Sequence, residues 1–147
     1  MGWNGRLTLK PIVSEVVRLN DWLDAAFAQS GTTASIAADL KLCLNEIVVN
    51  LISYAFADTP DPQIAVDIDL QAQLATAEVC DNGIYFDLRD WPQPTRPQDL
   101  KSAPIGGYGL LLIRDRASSI AYDRIDGVNR LRITCAGSDR ETERQAQ

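Results

Sequence analysis

A change in the spacing of apolar residues across the segment DTPDP, residues 58–62, constrains the fold more than any other feature. Within 33–57 the apolar residues recur every three or four positions, as they do along one face of an α-helix. Within 64–70 they alternate with alanine and aspartate, as in a half-buried strand. The chain is therefore predicted to contain both helices and strands, with a turn or loop at 58–62.

The rest of the chain extends this pattern. In order, the spacing predicts a strand at 5–10, helices at 12–29 and 33–57, a hairpin of strands at 64–70 and 74–80, a helix from about 107–109 to 117, and a hairpin turning at Asp126-Gly127. No regular strand–helix–strand alternation occurs. We therefore predict an α+β fold, a two-layer sandwich whose mixed, mainly antiparallel sheet carries about three helices on one face.

The length of 147 residues and the apolar content of 46% predict a single globular domain. We expect this domain at 1–135, with a lid at 87–105, where four of the seven prolines fall, and a polar tail at 136–147. The net charge of -6 argues against nucleic acid as a partner, because phosphate binding needs a basic surface. No apolar run approaches the ~20 residues of a membrane span, so no membrane partner is expected.

Two residue types narrow the chemistry. The three cysteines, Cys43, Cys80 and Cys135, are odd in number and widely spaced, which favours free thiols in a reducing cytoplasm over disulfides or a zinc site. The chain has no histidine. Histidine general acid–base catalysis, serine–histidine triads and histidine autophosphorylation within this chain are therefore excluded.

The first candidate functional pair is Glu46 and Asn50, in the middle of the predicted helix at 33–57. Residues four apart lie side by side on a helix, and this pair falls roughly opposite the apolar stripe. A solvated helix face would explain an isolated pair of this kind. The functional alternative is a carboxylate that acts as a base beside an amide oxygen that binds a metal.

The second candidate group is Asp81 and Gly83, which follow the strand predicted at 74–80. Asp-Asn-Gly is also strong turn chemistry, so a simple turn is the alternative.

The third candidate group is a glycine cluster, Gly106, Gly107 and Gly109, directly before an apolar helix. Glycines let a backbone approach a ligand closely, and the free N–H groups of a helix start can face an anion. A flexible hinge is the alternative. The cluster fits neither the dinucleotide fingerprint nor the Walker A loop.

The three groups together resemble the GHKL superfamily of ATPases, and most of all its small bacterial anti-sigma-factor serine/threonine kinases. The stretch NEIVVNLISYAF resembles their Glu-x-x-x-Asn box, DNGIYFD resembles their Asp-x-Gly-x-x-Phe-Asp box, and GGYGLLLIRDRASSIAYDRIDGVNRL resembles their glycine box and final hairpin through Asn129. The likeness spans roughly 7–135. Tyr54 departs from it, because the family usually has a histidine there.

This resemblance implies a role for each matched residue. Asp81 would accept a hydrogen bond from the adenine amino group, with Gly83 leaving the adenine edge open. Asn50 would bind Mg²⁺ and Glu46 would be the general base. The phosphates of ATP would lie at Gly106, Gly107, Gly109 and Leu110.

The resemblance also implies a function. The missing histidine and the short chain argue against histidine kinases and the larger superfamily members. A cytoplasmic, homodimeric serine/threonine kinase remains, which binds ATP and Mg²⁺ and phosphorylates a STAS-type anti-anti-sigma protein, sequesters a sigma factor, or both. One alternative is an ATP-binding regulatory module without phosphoryl transfer. Another is an α+β interaction domain whose glycines only form turns.

Overall fold

The computed structural model describes residues 2–90 and 109–137 of the chain. Its elements are β1 (Trp3–Leu9), α1 (Glu15–Ser30), α2 (Ala34–Tyr54), β2 (Ile64–Leu70), β3 (Leu74–Asp81), a 3₁₀ turn (Leu88–Asp90), α3 (Gly109–Arg116), β4 (Ser119–Ile125) and β5 (Val128–Ala136).

The strands form one five-stranded sheet in the order β1-β2-β3-β5-β4. Every pairing between these described strands is antiparallel. The predicted α+β fold with a mainly antiparallel sheet and three helices is confirmed. The central pairing of β3 with β5 joins strands that are distant in the chain, and it sets Asp81 opposite Asn129.

The hairpin of β4 and β5 follows from the local sequence. Asp126 and Gly127 both have positive φ, 52° and 79°, which is the geometry of a tight two-residue hairpin turn. Asp and Gly tolerate this conformation better than other residues. The predicted turn between β4 and β5 is therefore confirmed.

The core lies between the helices and one face of the sheet. Its largest fully buried side chains include Leu9 of β1, Leu19 and Leu23 of α1, Leu40, Leu44 and Ile47 of α2, Ile64 and Leu70 of β2, Leu110 and Ile113 of α3, and Ile133 of β5. The other face of the sheet is polar and carries the ion pairs Arg6–Asp67, at 3.5 Å, and Arg132–Glu78, at 2.9 Å.

The first helix starts later than the spacing predicts. It begins at Glu15, and Ile12, assigned to the apolar stripe, is 52% exposed. Residues 12–14 form turns instead, since the Glu15 amide donates to the Ile12 carbonyl at 3.0 Å. The helix ends at Ser30, one residue after the predicted end, and Gly31 terminates it in the left-handed region at φ 69°.

The second helix is preceded by Thr33, a residue type that often caps helices, but the Thr33 hydroxyl does not cap this one. It donates to the Ala72 carbonyl at 2.8 Å, and so ties the helix start to the β2–β3 turn. A tertiary hydrogen bond has thus replaced the expected local one.

Parts of the expected domain plan lie outside the described residues. These are Gly106 and Gly107, residues 91–105 of the expected lid and residues 138–147 of the expected tail. Strand β5 ends at Ala136, so it includes the first residue of the expected tail. In the part of the chain that is described, no helix has the length and apolar character needed to cross a membrane. Within the described residues, Cys43, Cys80 and Cys135 are not joined by a disulfide bond.

Candidate functional site

The middle of α2 lies directly against the start of α3. A Cβ atom added to Gly109 would stand 2.8 Å from Glu46 Oε2 and 3.1 Å from Asn50 Nδ2. Only a glycine permits this approach without moving the two polar side chains. The structure therefore brings Glu46, Asn50 and the last glycine of the cluster together, while their predicted roles stay predictions.

Asn50 has an unsatisfied oxygen. Its side chain is fully buried, and its Nδ2 donates to the Glu46 carbonyl at 2.6 Å. Its Oδ1 is buried and has no hydrogen-bond partner among the described residues. The opposite amide orientation would set two oxygens against each other, so the hydrogen bond fixes which atom is left over. A solvated helix face, the alternative at this position, is wrong for Asn50.

Leaving a buried amide oxygen unpaired costs about 1–3 kcal/mol. Such an atom in a native fold calls for an explanation such as a bound ion. A hard divalent cation that prefers oxygen ligands, such as Mg²⁺, fits this oxygen. The residues present are therefore compatible with the predicted metal.

Asp81 closes β3 and is only 4% exposed. Its Oδ1 accepts hydrogen bonds from the Gly83 amide and from Asn129 Nδ2, both at 2.9 Å. Burial raises the pKa of the Asp81 carboxyl above its ordinary value, although these two bonds and the charge of Arg124 oppose the shift. A buried carboxylate held by neutral donors is suited to a neutral ligand group that donates a hydrogen bond.

Gly83 is required by packing against the end of α2. A Cβ atom at Gly83 would stand 2.4 Å from the Ala55 carbonyl oxygen. The neighbouring Ile84 amide donates to the same oxygen at 2.9 Å. The loop after β3 is thus fixed on the C-terminal end of α2. Gly83 thus has a structural role, and its predicted role in leaving the adenine edge open stays a prediction.

Asn129, at the start of β5, is the site residue that the sequence did not assign. It is 2% exposed and contacts Asp81 directly. Its Nδ2 also donates to the Ile84 carbonyl at 2.7 Å, and its Oδ1 accepts from Tyr122 and Arg124. The family resemblance extends through Asn129 in the final hairpin, but only the pairing of β3 with β5 shows what this residue touches.

Asp87 and Arg89 form an ion pair in the segment that follows the Asp81 loop. The Asp87 side chain is 4% exposed, and Arg89 Nη2 donates to its Oδ2 at 2.8 Å. Burial acts to raise the pKa of Asp87, but the hydrogen bonds and charge of Arg89 outweigh it and lower the pKa below its ordinary value. The Arg89 guanidinium also lies over the Tyr122 ring, 5.6 Å from its centroid. Arg89, which Asp87 holds, therefore connects the segment after the Asp81 loop to β4.

The start of α3 contributes mostly backbone. The Leu110 side chain is 1% exposed and belongs to the core, so only its main chain is available to a ligand. Arg116 pairs with Asp39 of α2 at 3.2 Å, and Arg114 donates to the Arg89 carbonyl at 3.2 Å. Both arginines therefore have structural contacts, and we assign neither a phosphate role.

Tyr54, which stands where the family usually has histidine, stacks on Phe86. Their ring centroids are 6.3 Å apart, with 12° between the ring planes. The aromatic pair links the last turn of α2 to the segment after the Asp81 loop. The departure at this position therefore has a packing role.

Residues 11–135 match the histidine kinase-like ATPase domain family. The chain is 30% identical to the serine/threonine-protein kinase BtrW of Bordetella bronchiseptica over 115 residues, which cover 77% of this chain and 80% of that kinase. It is 28% identical to the serine-protein kinase RsbW of Listeria innocua over 128 residues, with 84% and 80% covered.

Two solved structures share the fold. The structure of the RsbU and RsbW domains of Rv1364c from Mycobacterium tuberculosis superposes with a TM-score of 0.60 at 18% identity over 91% of this chain. This chain spans 32% of that longer one. The histidine kinase domain of a blue-light activated kinase from Erythrobacter litoralis gives a TM-score of 0.55 at 14% identity, covering 88% of this chain and 62% of that one.

Proposed function

The chain belongs to the histidine kinase-like ATPase domain family, and on that premise we propose that it binds Mg²⁺-ATP and transfers the γ-phosphate to a serine or threonine of a partner protein. Two relatives with the names of serine or serine/threonine kinases support this reaction class. The observation that carries the proposal is the buried Asn50 Oδ1, which has no hydrogen-bond partner among residues 2–90 and 109–137 and lies in the same cluster as Glu46 and Gly109.

Helix α2 supports one orientation for the nucleotide. Its end, at Ala55, contacts the loop after Asp81, and its middle, at Asn50, contacts the start of α3. These points are about 7.5 Å apart along the helix axis. The adenine lies at Asp81 in this proposal and the phosphates lie at Gly109 and the main chain of Leu110, with Gly106 and Gly107 as the remaining predicted phosphate contacts.

The side chain of Asn50 supports the metal. Its Nδ2 is held by the Glu46 carbonyl, so Oδ1 is aimed without rotational freedom. Bound Mg²⁺ would supply neutralisation of the phosphate charge. In this proposal Asn50 sets the position of the Mg²⁺ ion relative to the start of α3.

Glu46 is the base in this proposal. The oxygen of the acceptor hydroxyl attacks the γ-phosphorus, the bond from that phosphorus to the β,γ-bridging oxygen breaks, and ADP leaves. Glu46 takes the hydroxyl proton. The half-buried Glu46 carboxylate lies beside Gly109, at the helix start to which we assign the phosphates, and this position supports its role as the base.

The partner proteins follow from the kinase subgroup that the sequence resembles. They are a STAS-type anti-anti-sigma protein as the phosphate acceptor, a sigma factor as the sequestered protein, or both, with the kinase acting as a cytoplasmic homodimer. The net charge of -6 suits protein partners better than nucleic acid. An ATP-binding module without transfer is the second candidate.

A phosphotransfer assay separates the two. Purified protein is incubated with γ-³²P-ATP, Mg²⁺ and a set of STAS-domain proteins from the same organism. The proposal expects label on a serine or threonine of one STAS protein, and loss of that label with Glu46→Gln while ATP binding persists. ATP binding by the parent protein without transfer to any of the set would favour the module.

A further inference from the structure

Asn129 uses every hydrogen-bonding position of its side chain. The two hydrogens of its Nδ2 are donated to Asp81 Oδ1, at 2.9 Å, and to the Ile84 carbonyl, at 2.7 Å. Its Oδ1 accepts from the Tyr122 hydroxyl at 2.5 Å and from Arg124 Nη1 at 2.9 Å. A buried amide with two donors and two acceptors satisfied is locked in one orientation.

This orientation decides how Asp81 faces a ligand. The Gly83 amide and the Asn129 amide both donate to Oδ1. These two bonds fill one carboxylate oxygen and fix the plane of the group. The other oxygen, Oδ2, takes part in neither bond and is left to accept a hydrogen bond from a ligand.

The acceptor side of Asn129 ties the same junction to the β4–β5 hairpin. Arg124 Nη1 donates both to Asn129 Oδ1 and to the Gly83 carbonyl, the latter at 3.1 Å. Arg124 is the charged group of the described residues whose field acts on Asp81. Tyr122 is the other titratable group in contact with Asn129. Strands β3, β4 and β5 therefore meet at one amide.

We propose that Asn129 is the positioning residue that makes the site select adenine over guanine, by holding Asp81 with Oδ1 occupied and Oδ2 presented as an acceptor. This inference rests on the proposed function, because it assumes that Asp81 receives the purine. Adenine carries an amino donor at C6, whereas guanine carries an oxo acceptor there. A fixed acceptor pairs with the first and opposes the second, which is how buried polar groups discriminate between similar ligands.

Asn129→Asp is the sharpest test, because it keeps the shape and replaces a donor by an acceptor. The new carboxylate oxygen then opposes Asp81 Oδ1, and two carboxylates this close share a proton. We expect the ATP-to-GTP affinity ratio at pH 8.5 to fall about 10- to 100-fold, the usual effect of unpairing one buried charged hydrogen bond. As the pH is lowered to 6, the shared proton restores a donor to Asp81, and the ratio should recover.

The parent protein should show no such recovery over this range, because its Asn129 amide does not titrate. Using the ratio cancels the titration of the phosphates, which ATP and GTP share. Asn129→Ala also removes the donor but adds no titratable group, so its low ratio should not depend on pH from 6 to 8.5. Arg132→Ala is the matched control on β5, because this exposed side chain lies on the other face of the sheet and its ratio should equal that of the parent.

Binding is measured by competition against a fluorescent ATP analogue, with the melting temperature of each variant recorded. Equal loss of ATP and GTP affinity in both Asn129 variants, with no change in the ratio, would overturn the inference and leave a purely structural residue. If Asn129→Asp does not fold, an unchanged ratio in Asn129→Ala has the same meaning. If the parent protein binds no ATP at all, the proposed function itself fails, which is a different result.

Discussion

Gly109 at the start of α3 and Glu46 in the middle of α2 are in such close contact that a single added methyl group would stand 2.8 Å from the Glu46 carboxylate. The start of α3 therefore covers Asn50 fully and Glu46 in part. This contact joins two sequence motifs that are more than sixty residues apart and defines the phosphate end of the proposed site.

Gly109→Ala should weaken nucleotide binding more than it weakens the fold. The added methyl displaces the flexible end of Glu46 and meets Asn50 Nδ2 at 3.1 Å, while alanine favours the helix by up to about 1 kcal/mol. We expect about a tenfold or greater loss of Mg²⁺-ATP affinity with a melting temperature close to that of the parent. Leu111→Ala, on the exposed side of the same helix, is the control and should bind ATP normally. Normal ATP affinity in Gly109→Ala would count against the assignment of α3.

Gly83→Ala should destabilise the fold as well as the site. The new Cβ meets a backbone carbonyl, that of Ala55, at 2.4 Å, so neither group can move aside cheaply. Overpacking of this kind costs about 1–3 kcal/mol, which urea unfolding would detect. Ile84→Ala removes an exposed neighbouring side chain and should cost much less. Equal stability of the two variants would show that the loop is not fixed on α2.

Asp81→Asn should lose adenine nucleotides without losing stability at neutral pH. The pKa of Asp81 is raised in the folded state, so the folded protein binds this proton more tightly than the unfolded chain does. The favourable contribution is complete below the unfolded pKa and is lost as the pH rises through the folded pKa. At pH 7 the parent therefore carries a cost that asparagine lacks.

The melting temperature of Asp81→Asn should equal or exceed that of the parent at pH 7, and the difference should shrink below the ordinary pKa range of aspartate. Calorimetric titration should show a much larger loss of affinity for ATP than for GTP. A parallel loss for both nucleotides would remove the adenine role.

Asp87→Asn should give the opposite pH dependence of stability. The pKa of Asp87 is lowered in the folded state, since Arg89 outweighs the effect of burial. The stability that this carboxylate contributes is present above its unfolded pKa and is lost as the pH falls through the folded pKa. The parent should be more stable than the variant at pH 7, with the gap closing in acid. A gap that is constant from pH 7 to pH 3 would show that the Arg89 contact contributes no charge-dependent stability.

The sequence predicted most of what is local. Both hairpins, the left-handed Gly31 at the end of α1 and the adjacency of Glu46 and Asn50 depend on residues a few positions apart. The sequence could not predict the tertiary contacts between these elements. The predicted start of α1 was wrong. The apolar spacing extends back to Ile12, but this residue lies in a turn before the helix and its side chain is exposed.

The contacts within the candidate site could not be predicted from the sequence for the same reason. Asp81 and its nearest partner, Asn129, are 48 residues apart, and they meet only because β3 pairs with β5 in one register. The sequence showed both residues but no strand order. Likewise, the spacing placed Asn50 roughly opposite the apolar stripe, where a solvated face would explain an isolated pair of this kind. Only the position of α3 shows that its amide oxygen is buried.

The central claim is that Asn50 Oδ1 holds a divalent cation for a bound nucleotide. Calorimetric titration with ATP, with and without Mg²⁺, tests it most directly when parent and Asn50→Ala are compared. The account predicts Mg²⁺-dependent binding by the parent and at least about a tenfold loss of that dependence in Asn50→Ala, which keeps the parent's melting temperature within a few degrees. Equally tight Mg²⁺-ATP binding by the folded variant, or no ATP binding by the parent, would contradict it.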